Sequence, residues 1–242
     1  NKKKGIHLIS HKFLDGKQNL KILFEKKKFE IKTGLIGKIQ IKNLLMAILA
    51  ANKSGLEFKK IIDVLPKVKP VEGRLEKIGR IKNNSKVILD YAHTPDALEL
   101  TLLNLKNQFP SNKINLLFGC GGNRDLKKRP IMGKIADKLS NKIYLTDDNP
   151  RNENPLNIRK EIKKGIKKTK VFEIPDRKKA IKDAIKDLNT GDILLVAGKG
   201  HEKTQDYGSK KKYFSDKVII KKIINKNNKK LSKNIKLNLI NE

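Results

Sequence analysis

The chain is 242 residues long, 37% hydrophobic, and carries a formal charge of +32 with a pI near 10.1; it can bury an ordinary core, and its charge raises nucleic-acid or anionic-membrane binding. That partner class is set aside: only seven of the 57 cationic side chains are Arg, the lysines are scattered among Asn and Ile as AT-rich codons supply them, and aromatic residues, at 5%, interleave with no basic stretch. The single Cys120 excludes an internal disulfide and a cysteine-rich zinc site, and no run reaches the apolar length that crosses a bilayer.

In chain order, the N-terminal NKKKG has no hydrophobic stretch behind it to act as a leader. The protein therefore reads as soluble and cytoplasmic, a monomer with neither nucleic-acid nor membrane partners. It begins without Met and in mid-pattern, which reads as a fragment of a longer chain. The runs GIHLIS, LKILFE and KFEIK predict short strands, and Asn43 to Ser54 predicts an apolar helix ended by Gly55 as C-cap. After LPKVKPVEGRLE, short β-rich runs alternate with helical ones from about Lys86: KVIL, INLLF, KIYL, VFEI and DILLVA predict five strands. Thr94 caps a helix opened by Pro95 with Leu98, Leu102 and Leu105 on one side, and Pro130 opens another with Ile131, Ile135 and Leu139. Pro155 precedes a third with Ile158, Ile162 and Ile166, and Asp176 caps a fourth with Ile181, Ile185 and Leu188. A last helix is predicted over Lys217 to Ile224, followed by a frayed Lys/Asn-rich tail. The expected architecture is α/β, a doubly wound, mostly parallel Rossmann-like sheet in residues 71–242, preceded by a different domain in residues 1–70.

Four polar segments follow predicted strand ends: Asp90 to His93 after KVIL, Gly119 to Arg124 after INLLF, Asp147 to Arg151 after KIYL, and Gly198 to Glu202 after DILLVA. Open α/β sheets bind their ligands outside the carboxyl ends of strands, so the four are expected to converge on one crevice. Arg124 and Arg151 offer planar forks for carboxylates, Asn149 a neutral donor and acceptor, and Glu202 an acceptor for an ammonium. Two cationic forks and one carboxylate suit an amino acid with an extra carboxylate. A surface ion pair with Glu153 is the competing reading of Arg151. GCGGNRD is a poor dinucleotide fingerprint, since Arg124 stands at its sixth position; Gly119, Gly121 and Gly122 are read as letting the backbone turn tightly to present Arg124. Cys120 reads as a small buried filler, and Lys199 and His201 as positioning residues more than catalytic ones.

TDDNPRNENP (Thr146 to Pro155), LDYAHTPDALE (Leu89 to Glu99), FGCGGNRDLKKRPIMG (Phe118 to Gly133) and AGKGHE (Ala197 to Glu202) together resemble the signature segments of the Mur ligases, in the family's order and spacing. The resemblance covers about Gly34 to Ile220, and the DNPR turn is similar to that of the members that add meso-diaminopimelate. It implies that Arg124, Asp148, Asn149, Pro150, Arg151, Gly198 and Glu202 form the diaminopimelate site. It also implies that Asn43, Arg74, Asp90 and His93 lie on the ATP side, where a helix cap, a linker ion pair, a strand-end cap and an ordinary loop His are the respective alternatives. Residues 1–70 correspond by resemblance to the end of the central ATP-binding domain, and 71–242 to the C-terminal, amino-acid-binding domain. One departure is Lys203 and Thr204, where the family commonly continues with an acidic residue and Tyr.

The implied activity is ATP-dependent amide bond formation, adding meso-diaminopimelate to UDP-N-acetylmuramoyl-L-alanyl-D-glutamate in peptidoglycan biosynthesis through an acyl phosphate, with ATP and Mg2+ as cofactors. No G-x-x-x-x-G-K-[ST] phosphate loop occurs in the chain, and the family's carboxylated lysine, its magnesium ligands and its UDP-sugar domain have no counterpart, so no residue is assigned as catalytic or as a metal ligand. By itself the chain is expected to be inactive. Diaminopimelate has a second zwitterionic centre where lysine has a bare ammonium, which Arg151 would repel. A ligase for lysine or another diamine is the near alternative; a basic nucleic-acid-binding module and a non-catalytic amino-acid-binding domain are the alternatives from other classes.

Overall fold

A computed structural model describes residues 5–14, 16–81 and 83–238, with side chains described through residue 228. Two units divide the chain: Asn1–Val71 with Asn104–Pro110, and Glu72–Leu103 with Ser111–Glu242.

In the first unit, β1 (His7–Leu14), β2 (Lys17–Phe24) and β3 (Lys27–Thr33) form an antiparallel sheet in that order. Leu20, Ile22 and Phe24 on β2, and Ile31 on β3, are buried at a spacing of two, so one face is packed and the other open. Helix α1 (Lys38–Lys53) lays Ile41, Leu44 and Ile48 into the same cluster, and α2 (Phe58–Val64) adds Phe58, stacked on Phe24 at 3.9 Å. Helix α1 starts earlier than its apolar run: Gly37 is the N-cap and Asn43 is an exposed interior position, not a cap. Gly55, at φ +94°, follows the C-cap Ser54 in the left-handed conformation that ends helices.

The second unit is α/β. Its six-stranded sheet runs β4 (Glu76–Arg80), β5 (Lys86–Asp90), β9 (Ile193–Ala197), β6 (Ile114–Phe118), β7 (Lys142–Leu145), β8 (Lys170–Glu173). Only the edge strand β4 is antiparallel. Val87, Leu89, Leu117, Tyr144, Leu194 and Val196 pack on α6 (Arg177–Lys186) and α7 (Asp216–Asn238), while Ile88, Leu116, Ile143 and Leu195, which point the other way, are equally buried. Both faces are therefore covered, which is why these strands are continuous apolar runs in the sequence.

The connecting helices are α3 (Pro95–Gln108), α4 (Lys128–Leu139) and α5 (Pro155–Lys163). Thr94 Oγ1 accepts the Ala97 N–H, Asn154 accepts from Leu156, and Asp176 accepts from Lys179, so three polar side chains satisfy otherwise orphaned helix-start donors. Three details differ from the apolar spacing. Ile131 is exposed, because α4 begins at Lys128 and buries Met132, Ile135, Ala136 and Leu139. Ile166 and Leu188 lie beyond the ends of α5 and α6. Helix α7 continues to Asn238, well past the expected Ile224. The sequence also hid α2, which is only seven residues long, and β4 and a small hairpin, β10 (Thr204–Asp206) with β11 (Lys211–Tyr213), which are short and carry few apolar residues.

Candidate functional site

Because β5, β9, β6 and β7 are adjacent and parallel, the loops leaving their carboxyl ends lie side by side. They enclose a cavity of about 360 Å³, within the range of small-molecule sites. All four polar segments reach its lining: Tyr91 and His93 after β5, Gly119 to Gly121 and Arg124 after β6, Asp148, Asn149 and Arg151 after β7, Gly198 and Glu202 after β9.

The floor is built from mutually bonded groups, Lys199 and Asn149 buried and Glu202 half-buried. Lys199 has no exposed surface, and its ammonium donates to Asn149 Oδ1 at 2.9 Å and to Glu202 Oε2 at 2.8 Å. Asn149 Nδ2 donates to the same Glu202 oxygen at 2.9 Å, while Asn149 Oδ1 also accepts the Asp206 N–H. These bonds orient the Asn149 amide and leave Glu202 Oε1 without a partner among the described residues. Burial acts to raise the Glu202 carboxyl, but the bond and charge of Lys199, with Asn149, outweigh it and hold the group below the usual carboxylate range. From beneath, Gln205 donates to the Asp147 and Asp148 carbonyls at 3.3 and 2.9 Å, so the β10–β11 hairpin fastens the turn after β7.

Asp148 is different. Its carboxylate is buried, and among the described residues Oδ2 has no hydrogen-bond partner and its nearest cation is Arg177 Nη1 at 4.0 Å. Burial pushes its carboxyl above the ordinary range, Arg177 and Lys199 pull it down, and Glu202 and Asp216 push it up again. Gly198 makes room for it: at φ +109°, with an added Cβ only 2.7 Å from Asp148 Oδ2, no other residue fits there without displacing the carboxylate.

The rim carries the arginines. Arg124 is exposed and forms no hydrogen bond or ion pair among the described residues. Arg151 is half-buried on a left-handed backbone (φ 51°), and Nη1 donates to the carbonyls of Gly122 at 2.9 Å and Asn149 at 3.4 Å. Its remaining guanidinium nitrogens stay available. The competing ion pair with Glu153 is not formed, since Glu153 binds Arg129 at 2.9 Å and the Asn123 N–H. The glycines of this loop serve close packing more than turning. Gly119 and Gly122 are not left-handed, but a Cβ on either would lie within 2.2 Å of a carbonyl oxygen, Thr146 for the first and Pro150 for the second. Pro150 itself does not line the cavity.

The four nucleotide-side residues fall in different places. His93 is exposed at the cavity mouth, where Lys128 donates to its carbonyl at 2.8 Å. Asp90 is buried and accepts from the Leu75 and Ala92 N–H groups at 2.7 and 2.8 Å and from Thr101 at 3.3 Å, the behaviour of a strand-end cap; burial, against these bonds, leaves its carboxyl raised. Arg74 lies 4.9 Å over the Tyr91 ring, which also neighbours His93 and His201. Asn43 belongs to the first unit. Cys120 is buried beside Met132, its thiol pushed up to about 12 by burial, as suits a filler and not a nucleophile.

Sequence reasoning missed Arg177 and Gln205, and underrated how deeply Lys199 is buried. The one local signal was IPDR, where an Arg directly follows a helix cap at a position otherwise expected to face solvent. Among the described residues no three His, Cys, Asp or Glu side chains converge as metal ligands, and no helix is long and apolar enough to cross a membrane.

The family described as "Mur ligase, glutamate ligase domain" matches residues 73–200. The "UDP-N-acetylmuramoyl-L-alanyl-D-glutamate--2,6-diaminopimelate ligase" of Rickettsia felis is 47% identical over 208 residues, covering 86% of this chain and 38% of that protein. The chain spans about two fifths of the length of the curated relatives it matches. A solved structure of a ligase of the same name aligns with a TM-score of 0.70 and 34% identity, over 91% of this chain and 45% of that one. MurF ligase from Thermotoga maritima, solved in complex with ADP, aligns with a TM-score of 0.63 over 93% of this chain and 47% of that one; at 17% identity, this likeness concerns the fold.

Proposed function

The chain belongs to the Mur ligase family, and we propose that it is the amino-acid-selecting part of an ATP-dependent ligase that joins meso-diaminopimelate to UDP-N-acetylmuramoyl-L-alanyl-D-glutamate. The observation that carries this is the division of charge in the crevice, a buried Asp148 and a half-buried Glu202 on the floor and guanidinium groups at the rim. An amino acid that is zwitterionic at its far end presents an ammonium to Asp148 and Glu202 and a carboxylate to Arg124 and Arg151. Lysine brings only the ammonium, and Arg151, fastened to the loop carbonyls, cannot easily retreat from it.

In the reaction proposed, ATP transfers its γ-phosphoryl group to the γ-carboxylate of the D-glutamyl residue. The amine of diaminopimelate attacks that acyl phosphate, the C–N bond forms as the C–O bond to phosphate breaks, and the nitrogen gives up a proton. This crevice contributes orientation: holding the amine in line with the acyl group lowers the barrier by several kcal/mol, on the order of 7 in favourable cases. The ADP of the Thermotoga relative supports the nucleotide side of the reading, with Arg74, Tyr91 and His93 as the groups suited to a nucleotide here. Among the described residues no three His, Cys, Asp or Glu side chains converge to hold magnesium. Residues 1–70 are read as the end of the central ATP-binding domain, 71–242 as the amino-acid-binding domain, and Val68 to Arg74 as the hinge between them.

Calorimetric titration of the chain with meso-diaminopimelate and with L-lysine tests the proposal. Binding of diaminopimelate alone, lost in Arg151→Ala and Glu202→Ala, is expected. Equal or tighter binding of lysine would overturn it.

A further inference from the structure

Arg177 sits at the start of α6 with no exposed surface. Its Nε and Nη2 close a two-pronged bond on Asp216 at 2.9 and 2.7 Å, and Nη2 also donates to the Ala197 carbonyl at 2.9 Å. Asp216, equally buried, opens α7. One side chain thus ties two helix starts to the end of β9, immediately before Gly198. The remaining edge is the informative one: among the described residues Nη1 is buried without a hydrogen-bond partner, and 4.0 Å away lies Asp148 Oδ2, also buried and also without one. Two orphaned groups of opposite charge, facing each other at the floor of a cavity, are an arrangement that packing alone does not require.

The surrounding charges sharpen the point. Asp148 is faced by Arg177 from α6, by Lys199 and Glu202 from the loop after β9, and by Asp216 from α7, with Arg124 and Lys128 across the crevice and Arg151 on its own turn. In this cluster two buried cations, Arg177 and Lys199, meet three acidic groups, the buried Asp148 and Asp216 and the half-buried Glu202. Lys199 is bonded to Glu202 and Arg177 to Asp216, so the negative charge left over belongs to Asp148. A ligand ammonium supplies the missing positive charge.

We propose that Arg177 is a positioning residue for the amino-acid site: its Nη1 edge keeps Asp148 a carboxylate turned into the crevice, where it accepts the ligand's ammonium. This rests on the reading of the crevice as an amino-acid pocket. Arg177 touches no ligand; it acts through Asp148.

The test is a carboxyl-carbon NMR titration of Asp148 in the ligand-free chain, paired with the pH dependence of meso-diaminopimelate affinity. Arg177→Gln removes the nearest cation, so Asp148 should titrate at least about one pH unit higher and the acid limb of binding should move up with it. Asp216→Asn removes a competing anion while keeping Arg177 charged, so both should move the opposite way. Since Arg177→Gln leaves Asp216 buried and unpaired, the double variant Arg177→Gln/Asp216→Asn serves if the single one does not fold, and it should also move upward. In each folded variant, affinity well above the limb should return to within a fewfold of the parent. A purely structural role predicts instead a uniform loss at every pH with Asp148 unmoved, and that result, or shifts of the same sign in Arg177→Gln and Asp216→Asn, overturns the proposal. If Asp148 shifts as expected but the parent chain binds no diaminopimelate at any pH, the amino-acid assignment fails while the hold of Arg177 on Asp148 stands.

Discussion

The floor and the rim of the crevice are built on opposite principles. On the floor, Lys199, Asn149 and Glu202 satisfy one another and Gly198 leaves only the volume that Asp148 needs. At the rim, among the described residues, Arg124 projects without a partner and Arg151 is fastened through one nitrogen only. The contrast teaches where preorganisation is placed. Lys199 is matched before a ligand arrives, because an unmatched buried charge is expensive in a low dielectric; Asp148, whose Oδ2 has no hydrogen-bond partner among the described residues, is the exception. Exposed guanidinium groups wait in water at little cost, and on the proposed reading the ligand's carboxylate would order them. Substitutions in the floor should therefore change stability and binding together, and those at the rim should change binding alone.

The largest effect is expected from Gly198→Ala. The left-handed backbone and the contact with Asp148 Oδ2 combine to lower stability by about 1–3 kcal/mol, read by chemical denaturation, and affinity for meso-diaminopimelate should fall by roughly 100-fold. A variant of unchanged stability and affinity would break the comparison at its firmest point.

Lys199→Met comes next. It strips Glu202 and Asn149 of their shared donor, with an expected loss of about 1–3 kcal/mol and at least about tenfold in affinity. The pH dependence carries a sign as well. Glu202, held below its ordinary range in the fold, contributes stability that is present above its unfolded value, near 4.5, and lost as pH falls through the folded one. Asp148, raised in the fold, works the other way: its burial weighs against stability at neutral pH and is relieved as acid protonates it. Removing Lys199 should flatten the acid loss due to Glu202, which denaturation midpoints measured across pH 3 to about 6 would register.

Arg124→Ala should have the smallest effect on the fold, within about 0.5 kcal/mol, since no described residue bonds to that side chain. Affinity for meso-diaminopimelate should still fall about tenfold, with lysine affinity unchanged or improved. A marked fall in melting temperature would place Arg124 with the floor.

Much of this was legible in the sequence, for identifiable reasons. Parallel strands covered on both faces have to be unbroken apolar runs, so KVIL, INLLF, KIYL and DILLVA announced themselves, and the polar segments behind them then had to meet. The partners of Arg151 were not legible, because Gly122 reaches it from another loop and no spacing rule connects the two. Nor was the depth of Lys199 or Arg177. In a chain with 57 cationic side chains a single buried one has no compositional signature, and only the three-dimensional meeting of α6, α7 and β9 takes Arg177 out of water. The strand β4 and the β10–β11 hairpin escaped because edge strands this short need few apolar residues.

The most direct measurement is a crystal structure of the chain with meso-diaminopimelate bound. The account predicts a floor whose backbone and Lys199 contacts are unchanged, an ammonium against Asp148 and Glu202, and Arg124 swung onto a carboxylate that Arg151 shares. A ligand seated away from Asp148, or a floor rebuilt around it, would contradict it.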